Sequence, residues 1–460
     1  MLDPPTPTPV VLVRANVLTA SHSTRGEMGE EMQPIERSAL QIPGLVIDLE
    51  LVDAAEGESD KISVDAYRSL WCLSRLEGRP ADISFWDVSD DVVISRADLR
   101  QLLLKRVPDQ ATRAAAVPEI PVGDDSDLTV VICTRDRPEG LRVTLESLRM
   151  QTDRDFRVVV VDNGTPSAGT AQVAAELALP GWEYTTEPVT GLSRARNKGL
   201  SLVQTRIVAW MDDDEVADPA WIHRIKQGFG HPSHPAGVAG VIMPRELKYE
   251  SQVRFEQYGG FNKGRGLEPE ILKAGTPSVV SPLYPLPTFG PGGNMAFLTE
   301  KLRAIGGFDP CLGAGTRTHG CEEIRVFSQL LMDGEAVLHW PPAIIWHTHR
   351  SNMMTLQKQF YGFSAGLSAL YASTIRSNPS AVFEILRLVP YAWRDLRGSN
   401  AGNVRSGHLP DDFPDELRRV WVRGLLAGAP MYVYEAVRNG RRNPARSTHR
   451  AKAGNHASGT

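Results

Sequence analysis

Residues 207–215 read IVAWMDDDE, an apolar segment typical of a buried strand that runs directly into four acids. Adjacent carboxylates repel each other, so the cluster favours a bound cation or hydrogen-bonding ligand over the alternative, plain solvated loop residues. Because no His or Cys lies beside the acids, Mg2+ or Mn2+ is favoured, with water and substrate phosphates completing the ligand shell. If the extended backbone continues, Asp212 and Asp214 face one side and Asp213 the other.

The residues before this stretch alternate between strand and helix patterns. Leu128–Cys133 and Phe156–Val161 are nearly continuous apolar runs, as expected for parallel strands buried on both faces. Leu141, Leu145 and Leu148 recur between them at helical spacing. The pattern then repeats, with helices predicted at 168–179 and 192–203 and a strand at 182–185. The order predicts a Rossmann-like, doubly wound α/β domain, whose ligands bind beyond the carboxyl ends of the strands.

Several polar residues lie where these predicted strands end. Thr134 and Arg135 follow the first strand, Asp162 ends the second, and the acids at 212–215 end the last. The Asp162 carboxylate can accept hydrogen bonds from a base imide or a ribose hydroxyl, and the alternative is a turn-forming role in Asp162-Asn163-Gly164. These strand ends are expected to converge on one crevice.

Basic residues open the predicted helix 192–203. Free N–H groups and the positive end of the helix dipole favour anions there, and Arg194, Arg196 and Lys198 strengthen that preference. Because Arg194 and Arg196 are two residues apart on a helix, they do not face one phosphate together, and Arg196 is favoured. The alternative is a set of ordinary surface charges on a basic helix.

Taken in order, the motifs resemble the nucleotide-sugar glycosyltransferases of family 2, which have the GT-A fold. The resemblance covers about residues 127–365 and rests on VVICTRDRPEGLRVTLESLRMQT, VVVVDNG, GLSRARNKGL, IVAWMDDDEVADPAWI, GPGGNMAF, GGFDP, CEEIRVFSQLLMDG and IIWHTHR. It implies an Mn2+ or Mg2+ cofactor, with Asp212, Asp214 and a histidine as metal ligands, and His349 is favoured over the alternative, His347. The residues expected to bind the nucleotide sugar are Thr134, Arg135, Asp162, Arg194, Arg196, Asn197, Asp213, Gly293 and Asn294.

The resemblance also implies a catalytic role for Glu322 and Glu323, which open an amphipathic helix. An acceptor hydroxyl that attacks an anomeric carbon must lose its proton, and a carboxylate within hydrogen-bond reach is the simplest base. Which of the two glutamates acts is left open. The alternative is that both stabilise the helix through its dipole.

The expected function is that of a metal-dependent inverting glycosyltransferase. It would move a sugar from a UDP, TDP or GDP donor to an acceptor hydroxyl, in glycan, cell-surface polysaccharide or glycosylated-metabolite biosynthesis. A sugar-phosphate nucleotidyltransferase is a weaker alternative, because residues 133–138, CTRDRP, do not form a glycine-rich pyrophosphate loop. A non-catalytic sugar-binding or nucleotide-binding protein is disfavoured because both acidic sets are retained.

Composition agrees with this interpretation. The 460 residues carry a net charge of -5, which argues against nucleic acid as a partner. Four widely spaced cysteines form neither a zinc motif nor a disulfide framework, which favours a reducing cytoplasm. The first residues lack the basic start and long apolar core of a signal peptide.

The chain is expected to carry extra parts on either side of the GT-A domain. The predicted organisation is a small α+β accessory module with its linker at 1–120, the GT-A domain at 127–355, a helical extension at 356–442 and a disordered basic tail at 443–460. In the first module, strands are predicted at 10–18, 45–52 and 83–88 and a helix at 64–76. Helices at 382–396 and 417–437 combine Trp, Tyr, Leu and Arg. They either pack as core or contact the inner face of a membrane peripherally.

Overall fold

A computed structural model describes residues 32–51, 61–88, 93–107, 120–123, 126–164, 168–263, 265–275, 281–283, 291–397 and 412–442. The predicted strand at 10–18 and the predicted tail at 443–460 lie outside these ranges. The chain divides into two compact units. The first comprises residues 1–119, 244–258 and 348–352, and the second comprises 120–243, 259–347 and 353–460. The segments at 244–258 and 348–352 were not part of the module expected from the sequence.

The strands within the described residues are β1 (Gly44–Glu50), β2 (Lys61–Ser63), β3 (Ser69–Leu76), β4 (Arg79–Asp87), β5 (Val93–Ser95), β6 (Leu128–Thr134), β7 (Arg157–Asn163), β8 (Trp182–Glu187), β9 (Ile207–Asp212), β10 (Glu215–Ala217), β11 (Gly237–Pro244), β12 (Glu270–Leu272), β13 (Met295–Leu298) and β14 (Val337–His347).

The α-helices within the same ranges are α1 (Arg96–Arg106), α2 (Pro138–Arg149), α3 (Ala168–Leu177), α4 (Leu192–Leu202), α5 (Trp221–Phe229), α6 (Glu250–Gln257), α7 (Thr299–Ala304), α8 (Glu322–Met332), α9 (Met353–Ser377), α10 (Ala381–Arg397) and α11 (Asp415–Arg442).

The second unit contains a mixed sheet in the order β10-β14-β11-β13-β9-β6-β7-β8, with β12 paired to β14. The pairs β9–β6, β6–β7 and β7–β8 are parallel, whereas β13 runs antiparallel to β9. The chain moves from β6 outward to β7 and β8 and then returns to the other side of β6 with β9. This reversal places the carboxyl ends of β6, β7 and β9 beside one crevice. The predicted doubly wound α/β architecture is confirmed.

Large apolar side chains fill the layer between this sheet and its helices. Trp210 of β9 packs edge-on against Phe308, with ring centroids 5.1 Å apart, and also contacts Phe297. Helix α4 lies against β6 and β7 at Gly199, where a Cβ would come within 2.4 Å of Val131 Cγ1. The absence of a side chain at Gly199 therefore sets how closely the helix approaches the sheet.

The first unit has a three-stranded sheet in which β3 lies between parallel β1 and antiparallel β4. The predicted strands near 45–52 and 83–88 are confirmed as β1 and β4. The helix predicted at 64–76 is wrong, because Ser69–Leu76 forms the central strand β3. Every residue of β3 except Leu76 is buried. Burial on both faces removes the alternation that would have identified a strand.

The helices predicted toward the carboxyl end are confirmed as α9, α10 and α11. Helices α9 and α11 pack closely through glycines of α11. A Cβ at Gly428 would come within 1.8 Å of the Ala365 carbonyl oxygen, and one at Gly424 within 2.0 Å of Ser364 Oγ. Within the described residues, no helix combines the length and apolar character needed to cross a bilayer.

We expect Gly199→Ala to lower the free energy of unfolding by about 1–3 kcal/mol, because the added methyl group overlaps Val131. Gly440→Ala in α11 is the matched control, since a Cβ there has no neighbour within 4 Å. The control is expected to leave stability unchanged or raise it by up to about 1 kcal/mol. Urea unfolding followed by circular dichroism measures both. Equal stabilities for the two variants would contradict the close packing of α4 on the sheet.

Candidate active site

The four acids lie on a tight turn rather than on one extended strand. Strand β9 ends at Asp212, Asp213 and Asp214 form the turn, and Glu215 begins β10. The backbone N–H of Asp212 donates to Glu215 Oε2 at 2.8 Å, which closes the turn. The alternation expected for a continuous strand therefore does not extend past Asp212, and each acid has its own surroundings.

Asp213 and Asp214 are held by residues from the β6–α2 connection. Thr134 Oγ1 donates to Asp213 Oδ2 at 2.7 Å, which ties the end of β6 to the acid turn. Arg137 Nη1 donates to Asp213 Oδ1 at 3.0 Å and to Asp214 Oδ2 at 3.1 Å. A single guanidinium thus reduces the repulsion between two neighbouring carboxylates. Thr134 and Asp213 are both buried, so their hydrogen bond holds the acid turn against the end of β6.

Arg137 was missed in the sequence, although CTRDRP contains it. It immediately precedes Pro138, the first residue of α2, and it is half exposed. The available signal was an arginine in the loop after a strand whose neighbour ends in acids. Strand order was needed to recognise β9 as that neighbour.

Asp212 remains open to solvent, with 43% of its side chain exposed. Desolvation at the crevice raises the pKa of its carboxyl to about 6, Arg196 opposes the shift, and Asp214 and Asp213 add to it. Arg196 Nη2 lies 3.6 Å from Asp212 Oδ1. An accessible carboxylate with a raised pKa beside other acids is suited to a cationic ligand.

Arg196 is buried and joins the acid turn to helix α8. Its Nη1 donates to Glu322 Oε1 at 3.0 Å, and its Nη2 donates to the Gly292 carbonyl at 3.1 Å. Burial alone would lower the pKa of the Arg196 guanidinium, but Glu322 and Asp212 raise it above its usual value. Only 2% of the Arg196 side chain is exposed. The structure thus places this arginine among the site's carboxylates and below its surface.

Glu322 and Glu323 differ in their surroundings although they are adjacent. Glu322 is buried and paired with Arg196, whereas Glu323 is partly exposed. Desolvation and the neighbouring Glu322 raise the pKa of Glu323 to about 8, and Arg196 opposes the shift. Cys321 before them has a left-handed backbone with φ 65, which turns the chain abruptly into α8. A carboxyl whose pKa lies near neutral pH is suited to general base work.

The carboxyl end of β7 provides a second polar region. Asp162 is buried and its Oδ2 accepts a hydrogen bond of 2.9 Å from the Tyr184 hydroxyl of β8. Desolvation, together with Asp162, raises the pKa of Tyr184 to about 12. Arg135 is exposed just beyond the end of β6, and a Cβ at Gly164 would lie 3.6 Å from its Nε. The predicted strand ends at 134–135 and 162 are therefore neighbours.

Several predicted ligand residues make internal hydrogen bonds. Asn197 pairs with both the N–H and the carbonyl of Phe308. Arg194 donates to Asn439 of α11. Asn294 is buried and donates to the Val241 and Ala343 carbonyls.

Glycine is required at position 293 because of Glu215. A Cβ at Gly293 would come within 2.3 Å of Glu215 Oε1. Glu215 is buried, and desolvation, with help from Asp212 and Asp214, raises the pKa of its carboxyl well above the ordinary value. The small size of Gly293 therefore leaves space for the Glu215 carboxyl, which closes the acid turn by accepting from the Asp212 N–H.

His347, which ends β14, and His349, two residues further on, have different surroundings. His347 Nε2 lies 3.8 Å from Asp214 Oδ1 in the second unit. His349, expected at the metal, belongs to the first unit, where its Nε2 lies 3.1 Å from Glu256 Oε1. Glu256 also accepts hydrogen bonds from Trp71 and Arg37. The structure thus gives His349 a different partner from the one expected, and His347 is the histidine at the acids.

The donor atoms at the turn fit a hard divalent cation. Asp212 and Asp214 offer carboxylate oxygens, with 43% and 26% of their side chains exposed, and His347 adds an imidazole nitrogen nearby. Within the described ranges, no three His, Cys, Asp or Glu side chains form a complete ligand set. Mg2+ and Mn2+ commonly need only one or two protein carboxylates when substrate phosphates and water supply the rest.

Comparison with known proteins agrees with this geometry. Residues 129–304 match the family model "Glycosyl transferase family 2". The chain is 28% identical over 310 residues to a pre-mycofactocin glycosyltransferase from Mycobacterium tuberculosis, covering 65% of this chain and 56% of the relative. It is 25% identical over 236 residues to a glucosyl-dolichyl phosphate glucuronosyltransferase from Haloferax volcanii, covering 48% and 68%.

Among solved structures, a mannosyltransferase from Pyrobaculum calidifontis in complex with GDP-Man and Mn2+ is similar, with 17% identity and a TM-score of 0.41. The match covers 77% of this chain and 87% of that one. Residues 129–304 hold the β6–β7–β9 crevice and its acid turn, and this part of the chain belongs to glycosyltransferase family 2. The chain spans about 56% of the length of the mycobacterial relative.

We expect Arg196→Met to lower the free energy of unfolding by about 3–5 kcal/mol, because it leaves Glu322 buried without its cation. The double variant Arg196→Met/Glu322→Leu removes both charges and is expected to recover part of that loss. Chemical unfolding of the wild type, the two single variants and the double variant measures the coupling. Strictly additive effects would contradict a buried pair.

Proposed function

We propose that this protein is an inverting glycosyltransferase that uses a divalent cation and a nucleoside diphosphate sugar. The observation that carries the proposal is the Arg196 guanidinium, which lies between the acid turn at Asp212 and the start of α8 at Glu322. The guanidinium thereby connects two kinds of group. Asp212 is an accessible carboxylate suited to a metal ion that carries a diphosphate, and α8 begins with Glu322 and Glu323, of which Glu323 is suited to proton removal. The membership of residues 129–304 in glycosyltransferase family 2 supports the same reaction class.

Glu323 is the base in this proposal. Gly292 lies beside it, since a Cβ at Gly292 would be 3.4 Å from Glu323 Cδ, so no side chain at position 292 covers the Glu323 carboxyl. The oxygen of the acceptor hydroxyl bonds to the anomeric carbon while Glu323 accepts the hydroxyl proton. The bond from the anomeric carbon to the nucleoside diphosphate breaks in the same step, and the diphosphate leaves. Glu322 keeps Arg196 in position. This division between the two glutamates follows from their different burial.

The donor would bind along the ends of β6, β7 and β9. Asp162 and Arg135 lie where a nucleoside would bind, and Asp212 and Asp214, with His347 beside them, would hold an Mn2+ or Mg2+ ion. Such an ion supplies charge neutralisation for the departing diphosphate. Thr134, Asp213, Arg137 and Glu215 keep the acid turn in place through the contacts described above. The remaining predicted residues act by holding these elements, and UDP, TDP and GDP donors stay alternatives.

We expect Glu323→Gln to lower kcat/KM by about 100- to 10,000-fold while donor affinity is retained, because the amide cannot accept the proton. In the wild type, kcat/KM should rise with pH through a midpoint near 8, since the active form of Glu323 is deprotonated and its raised pKa sets that midpoint. Glu300→Gln, an exposed acid at the start of α7, is the control and should behave as wild type. An active Glu323→Gln enzyme would assign the base elsewhere.

Metal-dependent nucleotide binding tests the acid turn. We expect the wild type to gain thermal stability with one of UDP, TDP or GDP only when Mn2+ or Mg2+ is added, because ligand that binds the native state raises the unfolding midpoint. Asp212→Asn and Asp214→Asn should remove that gain. Asp333→Asn, at the opposite end of α8 from Glu322, is the charge-matched control. A gain that persists in both acid variants would contradict a metal site at the turn.

A further inference from the structure

Helix α11 presents an apolar stripe that the described part of the chain leaves exposed. Its inward face packs against α9 through Gly424 and Gly428, as described above. On the opposite face, Val422 is 48% exposed, Leu426 76%, Val433 58% and Val437 52%. Pro430 is exposed between them. The spacing of three and four residues keeps these side chains on one face for about 22 Å of helix.

Arginines flank this stripe at both ends. Arg418, Arg419 and Arg423 are exposed near its start, and Arg438 is exposed near its end. Helix α11 as a whole contains six arginines against three acids, Asp415, Glu416 and Glu435, although the whole chain has a net charge of -5. Glu435 is buried on the side away from the stripe, and its Oε1 lies 3.7 Å from Arg438 Nη1. Asp415 and Glu416 are exposed in the first turn, so the exposed charged residues nearest to the stripe in the helix are arginines.

We propose that the outer face of α11 is a docking surface for an anionic lipid bilayer. An interfacial helix inserts apolar side chains into the boundary between headgroups and acyl chains, while arginines at its edges contact lipid phosphates. Val422, Leu426, Val433 and Val437 are the apolar side chains that insert, and Arg419 and Arg423 supply the phosphate contacts. Each arginine near an anionic surface strengthens binding roughly fivefold at low salt.

The same charges disfavour a second copy of the chain on this surface. In a parallel pair of α11 helices, arginines at equivalent positions would face each other. In an antiparallel pair, Arg419 of one helix would approach Arg438 of the other. Lipid phosphates can pair with these arginines whichever way the helix points along the bilayer surface. Charge complementarity therefore favours the bilayer over self-association.

The test is flotation of the full chain with vesicles of phosphatidylcholine alone or with 30% phosphatidylglycerol, a composition roughly matched to anionic membranes. We expect binding to the anionic vesicles that weakens at high salt. Leu426→Asp should reduce the bound fraction at least about tenfold, and Arg419→Gln/Arg423→Gln should reduce it on anionic vesicles. Met150→Asp is the matched control, because Met150 is 69% exposed and directly follows the last residue of α2. It should bind as wild type.

Three outcomes would overturn the proposal. One is wild-type protein that stays with neither vesicle type. Another is Leu426→Asp protein that binds as strongly as Met150→Asp, with thermal unfolding confirming that both variants are folded. The third is a dimer in light scattering that Leu426→Asp abolishes while vesicles have no effect, which would assign the stripe to a second copy. Nucleotide binding measured on Leu426→Asp separates this surface from the proposed sugar transfer, because that variant should bind donor normally.

Discussion

The buried guanidinium of Arg196 is the group on which the arrangement of the second unit depends. It lies at the start of α4 and reaches the Gly292 carbonyl, Glu322 of α8 and the neighbourhood of Asp212. A buried charge is costly unless compensating groups surround it, so these three segments must stay together. The relative positions of the acid turn and the candidate base are consequently fixed, even though the two are more than a hundred residues apart in sequence.

The acid turn shows how the fold permits four acids in a row. Each carboxylate has a different compensation: Asp212 lies near Arg196, Asp213 accepts from Thr134, and Glu215 accepts from the Asp212 backbone. Arg137 neutralises Asp213 and Asp214 together. The remaining negative charge is concentrated on the exposed oxygens of Asp212 and Asp214. These separate contacts reduce the repulsion that would destabilise an arbitrary acid cluster, and the two carboxylates left accessible are the ones we propose to bind a cation.

Outside the crevice, polar contacts attach the C-terminal helices to the sheet domain. Asp309 accepts hydrogen bonds from Ser373 of α9 and Tyr432 of α11. The first unit has its own buried centre, in which Glu256 accepts from Trp71 and lies beside Arg37 and His349. Burial there is compensated by the neighbouring cations and donors, which lower the pKa of Glu256 despite desolvation.

Sequence alone determined the elements whose signal is local. The β-branched runs at 128–133 and 156–161, the apolar segment at 207–211 and the leucine spacing in α2 follow from periodicity, so the doubly wound domain and its acidic edge were predictable. Tertiary structure decided the rest. Strand β3 was mistaken for a helix because burial on both faces removed its alternation. The structural contacts of Arg196, the clamp formed by Arg137 and the partner of His349 depend on which strands and segments become neighbours, since a side chain's role is set by the charges and hydrogen-bond groups that folding brings within a few ångströms of it.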